Sequence, residues 1–126
     1  SDVFFGIMKE LYRVCKLDAK IQINVPHPRH DNFIGDPTHV RIVTPQVLSL
    51  FSKKNNEKWK TMHASNTPLA LYLGVDFEVT KTELVPDDFY LADLQSGALT
   101  RQAFDRIALT TNNAISEIRM SVLVVK

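Results

Sequence analysis

Apolar residues at the start of the chain recur at the spacing of an amphipathic helix. Positions 2–17 carry an apolar stripe with i, i+3, i+4 spacing, formed by Phe4, Ile7, Met8, Leu11, Val14 and Cys15. Charged residues occupy the other side of the same segment. The pattern predicts a helix over 2–17 that buries this stripe. Phe5 and Tyr12 lie beside it and widen the apolar face. A face of this width can accommodate a second partner, or the helix can simply be well buried.

Alternation of apolar and polar residues, the period of a half-buried strand, predicts four strands at 21–25, 40–43, 69–83 and 115–125. The clearest alternation predicts a buried face made of Leu71, Leu73, Val75, Phe77 and Val79. The opposite, wet face would carry Tyr72, Gly74, Asp76, Glu78 and Thr80. A wet face of this length is a place where a partner can bind.

Residues 112–119 admit two interpretations. An apolar helical stripe from Leu99 to Ala108 can run on through this segment, or the helix can end and a long strand can follow. We favour the strand, because residues 110–113 are four poor helix formers in a row. Residues 122–125 are apolar on both faces, as in a central strand or one that a partner covers.

Further helices are predicted at 45–54 and 99–111, with a short one that opens at Pro86-Asp87-Asp88 and runs through Leu94. The expected fold is α/β of the α+β type. It is a single domain over 1–126, with a mainly antiparallel sheet of about four strands and about three helices packed on it.

Composition narrows the class of protein. The chain has 126 residues, of which 44% are hydrophobic and 23% charged, with one cysteine. These values are typical of a globular domain, and Cys15 alone excludes an internal disulfide or a zinc site built from cysteines. No apolar run reaches the roughly 20 residues that span a bilayer, and no secretory signal is visible. We expect a cytoplasmic, intracellular or virion-associated protein without an integral membrane segment, and no cofactor.

Charge is divided unevenly along the chain. Residues 1–63 carry ten basic and six acidic groups, whereas residues 64–126 carry five basic and eight acidic groups. Opposed patches of this kind can steer head-to-tail association, or they can neutralise each other within one fold. The residues that we expect to serve self-association lie on the wet strand face and the last strand, namely Tyr72, Asp76, Glu78, Leu123 and Val125.

A basic stretch with the only tryptophan of the chain suggests contact with nucleic acid. The candidate residues are Arg41, Lys53, Lys54, Lys58, Trp59 and Lys60. Lysines neutralise phosphates and an aromatic ring stacks on a base. The simpler interpretation is a solvated helix end with the Trp59 ring folded onto the core.

A loop rich in histidine is a candidate metal site. His27, His30, Asp31 and His39 bring imidazole and carboxylate groups together within thirteen residues. Such groups bind zinc, iron or nickel, but their spacing matches no ligand motif of known mechanics. A polar surface loop is therefore the favoured interpretation.

Signs of catalysis are few. Cys15 falls on the expected buried face of the first helix, and Asp87-Asp88 suits the first turn of a helix better than a shared substrate. The leading hypothesis is a non-enzymatic, self-associating interaction or assembly domain, as in structural or assembly factors of virus particles. The alternative is a protein that binds RNA or single-stranded nucleic acid through 53–60. A metal-dependent enzyme using 27–39 ranks third.

Overall fold

The computed structural model describes residues 2–126, and within them it has seven helices and three strands. The helices are α1 Asp2–Val14, α2 Asp31–Ile34, α3 Pro45–Ser49, α4 Lys53–Thr61, α5 Leu69–Leu73, α6 Asp88–Ser96 and α7 Arg101–Thr110. The strands are β1 Lys20–Pro26, β2 Phe77–Pro86 and β3 Ile115–Val124. The α+β class is confirmed, with fewer strands and more helices than predicted. None of these helices is long and apolar enough to cross a membrane.

The three strands form one antiparallel sheet in the order β1-β3-β2. Near one end of β1, the N–H of Asp18 donates to the carbonyl of Val124; past the other end, the N–H of His27 donates to Ser116. The β3 residues that pair with β1 therefore fall in number as the β1 residues rise, so the two strands are antiparallel. Alternate residues along one face of β3 are buried, namely Ile118, Met120, Val122 and Val124.

The predictions for 21–25, 115–125 and the short helix after Pro86 are confirmed by β1, β3 and α6. The strand interpretation of 112–119 is also confirmed, because α7 ends at Thr110 and β3 begins at Ile115. The two helices between β2 and β3, α6 and α7, both begin at side-chain caps. Asp87 accepts the N–H of Phe89, and Thr100 accepts that of Ala103.

The predicted strand at 40–43 is wrong. These residues lie in an irregular segment in which Val40 and Ile42 are exposed. The two edges of β3 are already occupied by β1 and β2, so a further short run has no free place beside the central strand. Thr44 then caps α3 by accepting the N–H of Val47.

The predicted strand at 69–83 is wrong in its first half, where the chain forms α5 instead. Strand β2 begins only at Phe77. Asn56, which is 1% exposed, accepts the N–H of Leu71 and donates to the carbonyl of Leu50. Gly74 follows the helix with a φ of 68°, which ends α5 in a left-handed turn. These contacts fix a helix where local alternation predicted a strand.

Two predicted helices have different ends in the structure. The helix at 45–54 is divided into α3 and α4, because the Ser52 hydroxyl accepts the N–H of Asn55 and starts a new helix. The first helix ends at Val14 instead of 17, and Asp18 follows in a turn with a φ of 64°. Cys15 therefore lies just past α1, where it is half-buried.

The described residues group into two compact units. The first comprises 2–23, 44–82 and 120–126; its largest fully buried side chains are Phe51, Phe77 and Leu48. The second comprises 24–43 and 83–119. Its core is Phe104, Ala114 and Ile115, with Leu84, Tyr90, Leu94, Leu99 and Ala108 packed against them. The single domain over 1–126 stays a prediction.

Two glycines give opposite predictions for stability. Gly74 has positive φ, so Gly74→Ala should lower the free energy of unfolding by about 1 kcal/mol. Gly6 lies inside α1 with no atom near its missing Cβ, so Gly6→Ala should raise it by about 0.5–1 kcal/mol. Urea denaturation measures both. A Gly74→Ala variant as stable as the native protein would contradict the left-handed helix end.

Candidate functional site

The outer face of α1 is an exposed apolar surface. Val3 is 78% exposed, Ile7 52% and Val14 57%, and all three lie within a narrow stripe of the helix surface. Leu17 is also exposed just beyond the helix. We call these four residues the α1 stripe. The apolar stripe predicted from spacing is therefore only partly buried, because Ile7 and Val14 face solvent.

Phe4 and Met8, which were predicted in the buried stripe, and Tyr12, which was predicted beside it, anchor α1 to the core. The Tyr12 ring lies edge-on to Phe77 at 5.6 Å, and its hydroxyl donates to the carbonyl of Val125 at 2.7 Å. Phe4 packs edge-on against Phe51 at 5.7 Å, and Met8 is fully buried. These contacts orient the helix so that the α1 stripe points away from the core of the first unit.

The rim of the α1 stripe is electrically balanced. Glu10 and Arg13 form an ion pair one helical turn apart, with Arg13 Nε 3.0 Å from Glu10 Oε2. The hydrogen bond from Arg13 holds the pKa of the Glu10 carboxyl below its usual value. The stripe is therefore bordered by a neutral pair instead of a single-sign patch.

The residues predicted for self-association do not share one strand face. Tyr72 is exposed on α5, which is a helix, whereas Glu78 lies on β2 and Leu123 on β3, both half-buried. Asp76 and Val125 are held by internal bonds. The Val125 N–H donates to the Asp76 carbonyl at 2.9 Å, and the Asp76 carboxylate accepts the N–H that opens α4. Their part in association stays a prediction.

The basic stretch forms helix α4 in the first unit. At 100° per residue, Lys54 and Lys58 stack on one side of the helix, whereas Lys53 and Lys60 lie on another. Trp59 is half-buried, in agreement with the simpler interpretation of its ring. None of these four lysines forms an ion pair with a residue that the structure describes.

Arg41 and the α4 lysines belong to different compact units. Arg41 is exposed and belongs to the second unit, within the irregular segment before α3. The predicted nucleic-acid group is thus made of α4 in one unit and Arg41 in the other. Its role stays a prediction.

The histidine loop is engaged in local hydrogen bonds. His30 is buried, and its Nδ1 accepts the N–H of Asn32, which caps α2. The proton therefore lies on Nε2, which donates to Asp87 Oδ1 at 2.7 Å. His27 Nδ1 accepts the N–H of Arg29 at 3.0 Å. Burial lowers the pKa of His27, and the nearby positive charge of Arg29 adds to this effect.

The backbone of Asp31 and the ring of His39 are also held by hydrogen bonds. The backbone N–H of Asp31 donates to the side chain of Asn113, and His39 Nδ1 lies 3.0 Å from the carbonyl of Asn32. The His39 ring stacks on Phe33 at 5.8 Å. Within residues 2–126, no three His, Cys, Asp or Glu side chains form a group that could hold a metal ion. The predicted metal role of this loop therefore has no cluster to support it.

Among the described residues, each unit has an open cleft. The larger, of about 340 Å³, is lined by Asn24, Val25, Pro26, Asn32, His39, Ser116 and Glu117. The Ser116 hydroxyl donates to the carbonyl of Val85, so it is not paired with the His39 ring as a nucleophile would be with its base. The smaller, of about 260 Å³, is lined by Ser49, Ser52, Lys54, Asn55, Glu78 and Val79.

Phe89 is a surface residue that was not among the predicted site residues. It is 80% exposed in the first turn of α6, with exposed Asp88 and Asp93 on the same helix. The helical spacing of apolar residues could have located it. In a helix capped by Asp87, the inward positions are Tyr90, Leu91 and Leu94, which leaves Phe89 on the outside.

Comparison of the chain with protein-family models, with curated proteins and with solved structures finds no match.

The environment of the Asp87 carboxylate leads us to expect a lower free energy of unfolding in acid. The N–H of Phe89 and then the His30 ring hold its pKa below the usual value of an aspartate. A carboxyl with a depressed pKa stabilises the fold above its unfolded pKa of about 3.9, and this contribution is lost as pH falls through the lower folded value. We expect Asp87→Asn to reduce the fall in unfolding free energy below about pH 4.

Urea denaturation at several pH values between about 2 and 6 measures this effect. Asp105→Asn is a suitable control, because that exposed carboxylate pairs, among the described residues, with Arg101 on the same helix. Equal acid sensitivity in the native protein and Asp87→Asn would contradict the role of the bonds to His30 and Phe89.

Proposed function

We propose that this chain is a non-enzymatic interaction domain that self-associates through the α1 stripe. The observation that carries the proposal is the exposure of Val3, Ile7 and Val14 on one side of a helix whose other side is anchored in the core. A contiguous exposed apolar surface is typical of a protein contact. Such a domain suits a structural or assembly factor, including one of a virus particle, and its single cysteine suits a reducing compartment.

A second copy of this chain is the partner that the α1 stripe fits. When two α1 helices pair antiparallel about a twofold axis, Val3 of each copy lies beside Val14 of the other and Ile7 lies near the axis. The Glu10–Arg13 pair on the rim carries no net charge, so identical copies do not repel there. A 13-residue helix spans about 20 Å, which predicts a weak contact that depends on concentration.

Replacing Ile7 and Val14 by serine should weaken self-association without unfolding the protein. Both side chains are more than half exposed in the monomer, so their burial is gained only in the complex. Light scattering on a sizing column, over a range of protein concentrations, measures the change. We expect the native protein to exceed its 14.3 kDa monomer mass at high concentration and the variant to remain near it.

Leu109→Ser is the matched control, because Leu109 is equally apolar and 71% exposed but lies on α7. It should leave the mass of the native protein unchanged. A native protein that stays monomeric at every concentration would remove self-association as the function. A double serine variant that still associates would remove the α1 stripe as the contact.

A second candidate function, binding of RNA or single-stranded nucleic acid, is favoured by one observation. The α4 lysines Lys53, Lys54, Lys58 and Lys60 form no ion pair within the described residues. Their charges are available to neutralise phosphates, whereas Trp59 is half-buried and offers less of its ring for stacking. The observation supports a backbone contact more than base recognition.

A triple variant with alanine at Lys53, Lys54 and Lys58 should bind a single-stranded oligonucleotide more weakly. Its affinity should also depend less on salt concentration. A fluorescence titration at two salt concentrations measures both. The control is a triple variant that removes the same positive charge elsewhere, by alanine at Lys16, Lys20 and Lys126. It should weaken oligonucleotide binding less. Equal losses in both triple variants would indicate net charge instead of a site on α4.

A further inference from the structure

Helix α6 presents an aromatic and acidic row to solvent. Phe89 and Asp93 are four residues apart, so they are neighbours on one side of the helix, and both are exposed. Asp93 forms no ion pair with a described residue. One turn further, the helix ends at Gly97 with no basic residue in its last turn. The partial negative charge of that helix end is therefore not offset on α6 itself.

Helix α4 presents a row of the opposite character. Lys54, Lys58 and Met62 follow each other at four-residue spacing, so they stack along one side of the helix and its cap. All three are exposed, with Met62 at 63%. The row therefore has two cations without ion pairs and an apolar end.

The two rows match in spacing, polarity and charge when the helices run antiparallel. Phe89 then meets Met62, Asp93 meets Lys58, and the carbonyl end of α6 at Gly97 meets Lys54. Sulfur against an aromatic ring, an ion pair, and a cation at a helix C-terminus are each favourable. Antiparallel helices also align their dipoles favourably.

We infer that α6 of one copy docks on α4 of a second copy. The inference rests on the self-association proposed above but uses different residues, so it adds a contact that the α1 stripe does not supply. Because the two rows are different surfaces, the contact is heterologous, and repeating it builds a ring or an open chain of copies. Exposed ion pairs are screened by salt, so this contact should be lost first at high ionic strength.

Charge reversal tests the contact. Lys58→Asp places like charges opposite Asp93, and Asp93→Lys places like charges opposite Lys58, so each variant should raise the dissociation constant of the salt-sensitive association roughly fivefold or more. In a 1:1 mixture of the two variants, contacts between unlike copies bring opposite charges together, so the mixture should recover the salt-sensitive association that each variant alone loses. Sedimentation velocity at low and high salt measures each sample.

Lys60→Asp is the matched control, since it reverses the same charge on another side of α4 and should leave association unchanged. Phe89→Ser supplies a charge-neutral variant at an exposed position and should also weaken the contact. A native protein that is monomeric would overturn both this inference and the proposed function. A native protein that associates, with reversed variants that associate equally or a mixture that stays weak, would overturn only the docking of α6 on α4.

Discussion

Strand β3 is the constraint on which the rest of the sheet depends. It pairs with β1 on one side and β2 on the other, and those two strands do not pair with each other. Its alternate residues from Ile118 to Val124 are buried, so they anchor the strand in the core while its backbone satisfies both neighbours. Losing β3 would leave β1 and β2 each without a partner strand.

Much of the fold could be predicted because local signals agree with one another. The positions of β1, β3, α6 and α7 follow from alternation, helical spacing and caps that lie next to the elements they begin. In the structure the carboxylate of Asp87 caps α6 and the hydroxyl of Thr100 caps α7, each directly before the helix it begins. In these segments the local pattern agrees with the element that the tertiary contacts stabilise.

The wrong predictions fall in segments whose secondary structure depends on a distant contact or on the lack of a neighbouring strand. Residues 69–73 alternate like a strand, but Asn56, fifteen positions before Leu71, accepts its N–H and stabilises a helix. Residues 40–43 have strand-like side chains and no strand beside them. The predicted surface around Tyr72 and Asp76 depended on a strand that does not extend so far, whereas the exposed side of α1 could not be located without knowing where Tyr12 packs.

The position of β3 in the chain also has a consequence for the timing of folding. The Ser121 hydroxyl donates to the side chain of Gln22, 99 positions earlier. At ribosomal rates of about 5–20 residues per second, β1 waits roughly 5–20 seconds for its partner strand. During that interval Ile21 and Ile23 have no partner strand, so the apolar side of β1 is covered only once β3 has been made.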